Sequence, residues 1–230
     1  MYENLFLGAS HLDPNREKKA KGINQDIFEL LPKDYIEFLT NFGEGEYSHE
    51  INIHFPDENI IPETFKDDTD FWEYDKNFTE KDLLNAIAIA TSFDGDIICV
   101  SLEKKNKVFI LPRHADKISS YNTFHETINK LTEGYEDKFF MPFFDREYIQ
   151  ISLIKERKLN DIYPIHETFL HEFKFDFCFN QKAQPEYLIK EFGFRIRFDL
   201  IYKNNISISY QKQFKSKINH IITRIEELSN

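Results

Sequence analysis

Between Gly22 and Gly43 the apolar positions Tyr35, Ile36, Leu39 and Phe42 recur at helical spacing. Pro32 stands where a first helical turn tolerates a residue without an N–H, and Gly43 stands where a helix can leave through a left-handed residue. The spacing predicts an amphipathic helix over 32–42, led into by a shorter helical stretch around 24–31. A turn at Gly43-Glu44-Gly45-Glu46 follows, and then Ile51, Ile53 and Phe55 alternate with polar neighbours as in a half-buried strand. Residues 56–76 show no clear period and are expected to form surface loop. Thr79 and Asp82 make a capping pair, with Phe78 and Leu83 as the apolar contact that fixes the chain's entry into a helical turn. From Asn85 onward AIAIA, IICVSL and VFILP are joined by Phe93-Asp94-Gly95-Asp96 and by EKKNK, the pattern of an antiparallel meander. Helical spacing returns over 119–131, through Tyr121, Phe124, Ile128 and Leu131.

Beyond residue 141 the pattern changes. Asp145 is a good N-cap for a helix running to about 158. The run EFKFDFCFN sets Phe173, Phe175, Phe177 and Phe179 on one face of a predicted strand, with Lys174, Asp176 and Cys178 on the other. Pro185 to Phe192 reads as a short helix closed by Gly193, and FRIRFDLIY pairs through Asn204-Asn205 with ISISY. A final helix over 212–228 carries Phe214, Ile218, Ile221, Ile222 and Ile225 as its stripe. The expected order β-α-β-β-α makes a small sheet with helices on one face. The chain contains no internal repeat and no low-complexity tract.

The composition, 41% hydrophobic with 24 Phe, 11 Tyr and 7 Gly over 230 residues, supports a packed core and excludes disorder and collagen-like structure. The net charge of −11 argues against direct binding of nucleic acid or of an anionic membrane, since both need a surplus of cations. That charge is uneven. Residues 1–140 hold 15 basic and 28 acidic side chains, while 141–230 hold 14 and 12. Two units are therefore expected, an acidic α+β domain over 1–140 and a smaller α+β unit over 141–230, with no glycine-serine linker between them. Cys99 and Cys178 fall in different units, which is no disulfide framework and fits free thiols in a reducing cytoplasm. No apolar run approaches the ~18 residues of a membrane span, and the N-terminus lacks the apolar core of a secretory signal.

Motifs for metal or covalent chemistry are missing. His166 and His171 are five residues apart, which on a helix turns the rings about 140° from each other and prevents chelation by one face. His49 and His54 share that spacing across a predicted strand and read as ordinary surface or capping histidines. No nucleophile elbow, phosphate loop or dinucleotide fingerprint occurs. The carboxylates Glu44 and Glu46 would repel any phosphate at the Gly43–Gly45 turn. Asp94 and Asp96 flank Gly95 and could serve as an acid/base pair or cation ligands, although hairpin-turn chemistry already accounts for them. The segment holding Asp67, Asp68, Asp70, Glu73 and Asp75 around Phe71, Trp72 and Tyr74 has the composition of an electrostatically steered anchor site, with a solvated loop whose aromatics tuck inward as the plainer reading. Arg195 and Arg197, with Lys174, form either a small basic strip or the outward face of a half-exposed sheet.

LLPKDYIEFLTNFGEGEY, followed by IAIATSFDGDIICVSL, KVFILPRH and a terminal helix, resembles the SUKH superfamily over residues 22–133. The matching features are Leu31-Pro32, Tyr35 three residues later, the helix end at Gly43, and Gly95-Asp96 before an apolar strand. Glu44 and Ser92-Phe93 stand where many members are glycine-rich. The resemblance implies an α+β domain with a twisted, mainly antiparallel sheet and packed helices. It also implies no enzymatic activity and no cofactor, and a role like that of bacterial immunity proteins that neutralise polymorphic toxins. The acidity points independently to a basic protein partner, such as a nuclease toxin, met by Glu44 and Glu46, by 67–75 with Trp72 as anchor, and by Asp94 and Asp96. An intracellular scaffold that binds a host protein is the alternative.

Overall fold

The computed structural model describes residues 5–105, 107–135, 138–155, 157–179 and 182–230. In chain order the elements begin with β1 (Phe6–Leu7), α1 (Arg16–Lys21), α2 (Gln25–Phe28), α3 (Lys33–Phe42), β2 (Gly45–Tyr47) and β3 (Ile51–Asp57). Next come α4 (Ile60–Phe65), α5 (Glu80–Leu84), β4 (Ala86–Ser92), β5 (Ile97–Ser101), β6 (Val108–Leu111), β7 (Ser119–Tyr121), α6 (Phe124–Leu131) and β8 (Phe139–Pro142). The remainder is β9 (Arg146–Ser152), β10 (Ile154–Lys155), β11 (Lys158–Leu159), α7 (Ile162–Glu172), β12 (Phe177–Phe179), β13 (Glu186–Ile189), β14 (Phe194–Phe198), β15 (Asn205–Gln211) and α8 (Lys215–Leu228). Two compact units result, one spanning 12–142 and the other combining 1–11 with 143–230.

In the 12–142 unit the strands follow the order β8-β2-β3-β4-β5-β6-β7, and every neighbouring pair is antiparallel. Ala88, Cys99 and Phe109 lie in one cross-strand row and pack against Ile61 of α4, Leu83 of α5, Trp72 and Phe78. The adjacent row, Ile87, Val100 and Val108, points to the other face and is equally buried. A strand covered on both faces needs apolar residues at every position, which is why AIAIA has no polar alternation. Near the other end of the sheet Phe38 of α3 contacts Phe140 of β8 at 5.1 Å, Tyr47 of β2 at 6.4 Å and Phe124 of α6 at 6.0 Å. Gly45 is forced at this point. A Cβ there would lie 2.5 Å from the Met141 carbonyl oxygen and 2.4 Å from Phe140 Cζ.

The other unit is an antiparallel sheet in the order β12-β13-β14-β15-β9. Tyr187, Ile196, Ile208 and Ile149 form one cross-strand row, and the side they share packs on Ile165 and Phe169 of α7 and on Ile218, Ile222 and Ile225 of α8. The first residues of the chain belong to this unit. Ser10 N–H donates to Lys190 O at 2.8 Å, Gln211 Nε2 donates to His11 O at 2.6 Å, and Phe6 stacks on Phe177 at 4.6 Å.

Several local expectations are corrected. The helix placed over 145–158 is instead β9 followed by the β10–β11 hairpin. Asp145 has φ +49°, which a helix cannot contain, and Ile149 and Ile151 alternate with polar neighbours as β9 pairs with β15. Pro185 to Phe192 is β13 followed by a 3₁₀ turn at Lys190–Phe192, and only the left-handed Gly193 was placed correctly. The long strand over 173–179 shrinks to Phe177–Phe179, because α7 runs to Glu172 and Phe173 caps it. The C-terminal order is thus richer in strands than β-α-β-β-α. Residues 119–121 form β7 ahead of α6, Gly45 and Glu46 belong to β2 rather than to a turn, and the region 56–76 contains α4.

Candidate functional site

The acidic aromatic segment is braced along its length. Asp75 accepts from the Asn77 and Phe78 N–H groups at 2.7 and 3.0 Å, and these bonds hold its carboxyl below the usual range. Tyr74 donates its hydroxyl to Thr69 O, while burial, with the charges of Glu80 and Asp70 behind it, raises its pKa. Glu73 N–H donates to Asp116 O at 2.8 Å, tying the segment to the stretch that follows β6. Trp72 Nε1 donates to Pro112 O at 2.8 Å, and the indole is only 8% exposed.

This bracing turns Trp72 inward and Phe71 outward. Phe71 is 58% exposed, with its ring 5.7 Å from Phe65 and 5.9 Å from Trp72. The three rings line a depression of about 440 Å³ together with Ile97, Leu111 and Pro112, closed by Arg113, His114 and Asp116. Asp67, Asp68, Asp70 and Glu73, on the same segment but outside its lining, are exposed and form no ion pair among the described residues. From Asp57 to Asp75 eight acids face the single cation Lys66.

The β4–β5 turn reaches the same depression. Gly95 lines it, and Asp96 Oδ1 accepts from Arg113 N–H at 2.9 Å. That bond commits Asp96 to fastening the turn to the strand end of β6. Asp94 is exposed, and Phe93 beside it is 76% exposed. Phe93 N–H donates to Glu50 O at 2.7 Å, and the Glu50 carboxylate accepts the Tyr135 hydroxyl. The hydrogen bond to Glu50, reinforced by burial, pushes the Tyr135 pKa up to about 12.

Glu44 and Glu46 lie apart from this surface and are committed elsewhere. Glu44 Oε1 accepts from Phe55 N–H at 3.1 Å, and Glu46 pairs with His49. The structure therefore brings Phe71, Trp72 and Gly95 to one depression, and leaves the carboxylates of Asp67, Asp68, Asp70, Glu73, Asp94 and Asp96, as well as Glu44 and Glu46, out of its lining. Sequence reasoning missed Phe71 and Phe93 as the accessible rings, and Arg113 as the cation among the acids. His166 and His171 share α7, but His166 hydrogen-bonds the Tyr187 hydroxyl at 2.7 Å and burial lowers its pKa. Among the described residues no group of His, Cys, Asp and Glu has the arrangement to hold a metal ion. Cys99 and Cys178 are free thiols, and no helix among them is long and apolar enough to cross a membrane.

The depression, with its aromatic walls, lies on an α+β domain whose central strands are buried on both faces. Residues 25–130 match the model of the SMI1/KNR4 family (SUKH-1), so the chain carries a SUKH-superfamily segment inside its 12–142 unit. Proteins of this family are generally non-enzymatic and typically bind protein partners. No curated protein and no solved structure matches the chain.

Proposed function

We propose that the protein is a non-enzymatic binding protein of the immunity type, acting in the cytoplasm, which occludes a basic toxin, a nuclease in particular, with the acidic surface of its 12–142 unit. The observation that carries this reading is the concentration of charge. Residues 12–142 hold 15 basic and 27 acidic side chains, against 14 and 13 in the other unit. Exposed carboxylates at Asp67, Asp68, Asp70 and Glu73, which form no ion pair among the described residues, neighbour the exposed Phe71 along the chain, so negative charge lies close to an apolar anchor. Such an arrangement speeds the capture of a cationic cleft by roughly 10- to 1,000-fold and leaves the ring, once the partner covers it, to set the dissociation rate.

The test is to co-express the chain with the toxin encoded beside it and to measure association kinetics across a salt series. Association should slow steeply with ionic strength. A D67N/D68N/D70N/E73Q variant should bind more slowly and lose most of that slope. Unchanged affinity and unchanged salt dependence would place the interface elsewhere. A neighbouring gene that encodes no toxin, together with capture of a host protein, would favour the scaffold reading.

A further inference from the structure

The depression next to the acidic segment is shaped for a bulky apolar group. Phe65 meets Phe71 at 75° and Trp72 at 67°, so the three rings form a corner rather than a stack. Such a corner offers both ring faces and ring edges to a further ring, and aromatic pairs favour edge-to-face contact. Ile97 and Leu111 extend the apolar wall, and the volume of about 440 Å³ lies in the range of hollows that enclose a whole ligand group. Phe71 is 58% exposed, yet the chain just beyond it is pinned. The Trp72 indole donates to Pro112 O and the Glu73 N–H donates to Asp116 O, each at 2.8 Å. A wall fixed before binding costs little ordering entropy when it is covered.

The same bonds occupy backbone groups that could otherwise read a polar ligand. Pro112 has no N–H and its carbonyl already accepts from Trp72, the Arg113 N–H donates to Asp96 Oδ1 at 2.9 Å, and the Asp116 carbonyl accepts from Glu73. A small metabolite needs several convergent polar groups to fix its orientation. Arg113, His114 and Asp116 are exposed in the lining, and the arginine and the aspartate, of opposite sign, give it no net charge. The sign comes from alongside, where the stretch from Asp57 to Asp75 sets eight acids against Lys66. An apolar hollow flanked by negative charge is complementary to an apolar group carried among cations.

We propose, building on the toxin-binding reading, that the depression is a socket for a large apolar side chain, an aromatic ring in particular, which the partner carries on a basic segment. The partner supplies the anchor and Phe71 is one wall of its seat. Asp67, Asp68, Asp70 and Glu73 meet the lysines and arginines on either side of that anchor.

Titration of the full chain with three capped hexapeptides, KKFLKK, KKSSKK and EEFLEE, tests the assignment, with the emission of Trp72, the single tryptophan, as the signal. KKFLKK should bind saturably and shift the emission. KKSSKK, of equal charge, and EEFLEE, with the same apolar pair, should each bind roughly tenfold more weakly or worse. Ala115→Phe fills the hollow without touching charge and should abolish binding of KKFLKK. Phe71→Ala removes a wall and should weaken it about fivefold, which keeps the test decisive if Ala115→Phe unfolds by circular dichroism. No saturable binding of KKFLKK up to about 1 mM overturns the proposal, as does equal binding of KKSSKK or binding that survives Ala115→Phe. A toxin whose association slows in the D67N/D68N/D70N/E73Q variant but is untouched by Ala115→Phe would overturn the socket and leave the acidic surface standing.

Discussion

Ser101 Oγ donates a 2.6 Å hydrogen bond to Oδ1 of Asp82, inside the layer between α5 and the sheet. The second oxygen of that carboxylate accepts the Thr79 N–H at 2.9 Å and the Thr79 hydroxyl at 2.7 Å, and the Asp82 N–H bonds back to Thr79 Oγ1. One carboxylate thus caps a helix and anchors it to β5.

Burial opposes ionisation of Asp82, but the hydrogen bonds from Ser101 and Thr79 outweigh it and hold the pKa below the ordinary 3.8. A lowered folded-state pKa stabilises the protein fully above the unfolded value, and the contribution is lost as pH falls through the folded value. Asp82→Asn should cost about 1–2 kcal/mol in urea unfolding at neutral pH. The gap between wild type and variant should narrow below about pH 4. A gap independent of pH would show that the charge plays no part.

At Gly45 the obstruction includes a backbone carbonyl of the neighbouring strand, which cannot step aside as a side chain end can. Gly45→Ala should therefore destabilise the protein by roughly 2–3 kcal/mol, read as a lower urea midpoint with unchanged slope. A loss within experimental error would mean that β2 and β8 separate easily.

Burial raises the pKa of the Cys99 thiol well above its ordinary value, and raises that of the half-buried Cys178 as well. Both are poor nucleophiles at neutral pH, since the thiolate is the reactive form. Thiol-specific labelling followed by peptide mapping should find Cys178 modified first and Cys99 only as fast as the protein unfolds. Prompt labelling of Cys99 would contradict its position in the core.

Phe71 and Trp72 should separate stability from recognition. Trp72→Phe leaves the Pro112 carbonyl without its indole donor and should cost about 1 kcal/mol of stability. Phe71→Ala should change stability by no more than about 0.5 kcal/mol and weaken toxin binding by 1 kcal/mol or more, about fivefold. As the chain's single tryptophan, Trp72 also reports occupancy of the depression through its emission.

Where local chemistry decides structure, the sequence was readable. Pro32 and Gly43 bracket α3, Thr79 and Asp82 form the full capping box, and two polar turns separate β4, β5 and β6. Where partners far along the chain decide, it was not. Residues 146–152 are extended because β15, some sixty residues later, supplies the hydrogen bonds, and a good N-cap residue at 145 gives no warning of that. The acidic segment was recognisable as a surface from its charges. Which ring faces outward depends on the Pro112 carbonyl, forty residues downstream, so Trp72, expected to be the accessible ring, is buried and Phe71 is exposed.

The attachment of the segment Phe6–His11 to Phe177, Lys190 and Gln211 has a consequence for synthesis. During translation that segment is made about 170 to 200 residues before those partners, with the acidic unit in between. At ~5–20 residues per second it waits on the order of ten seconds. The 12–142 unit has the last of its described strands by Pro142, whereas the sheet of the other unit waits for β15, which ends at Gln211.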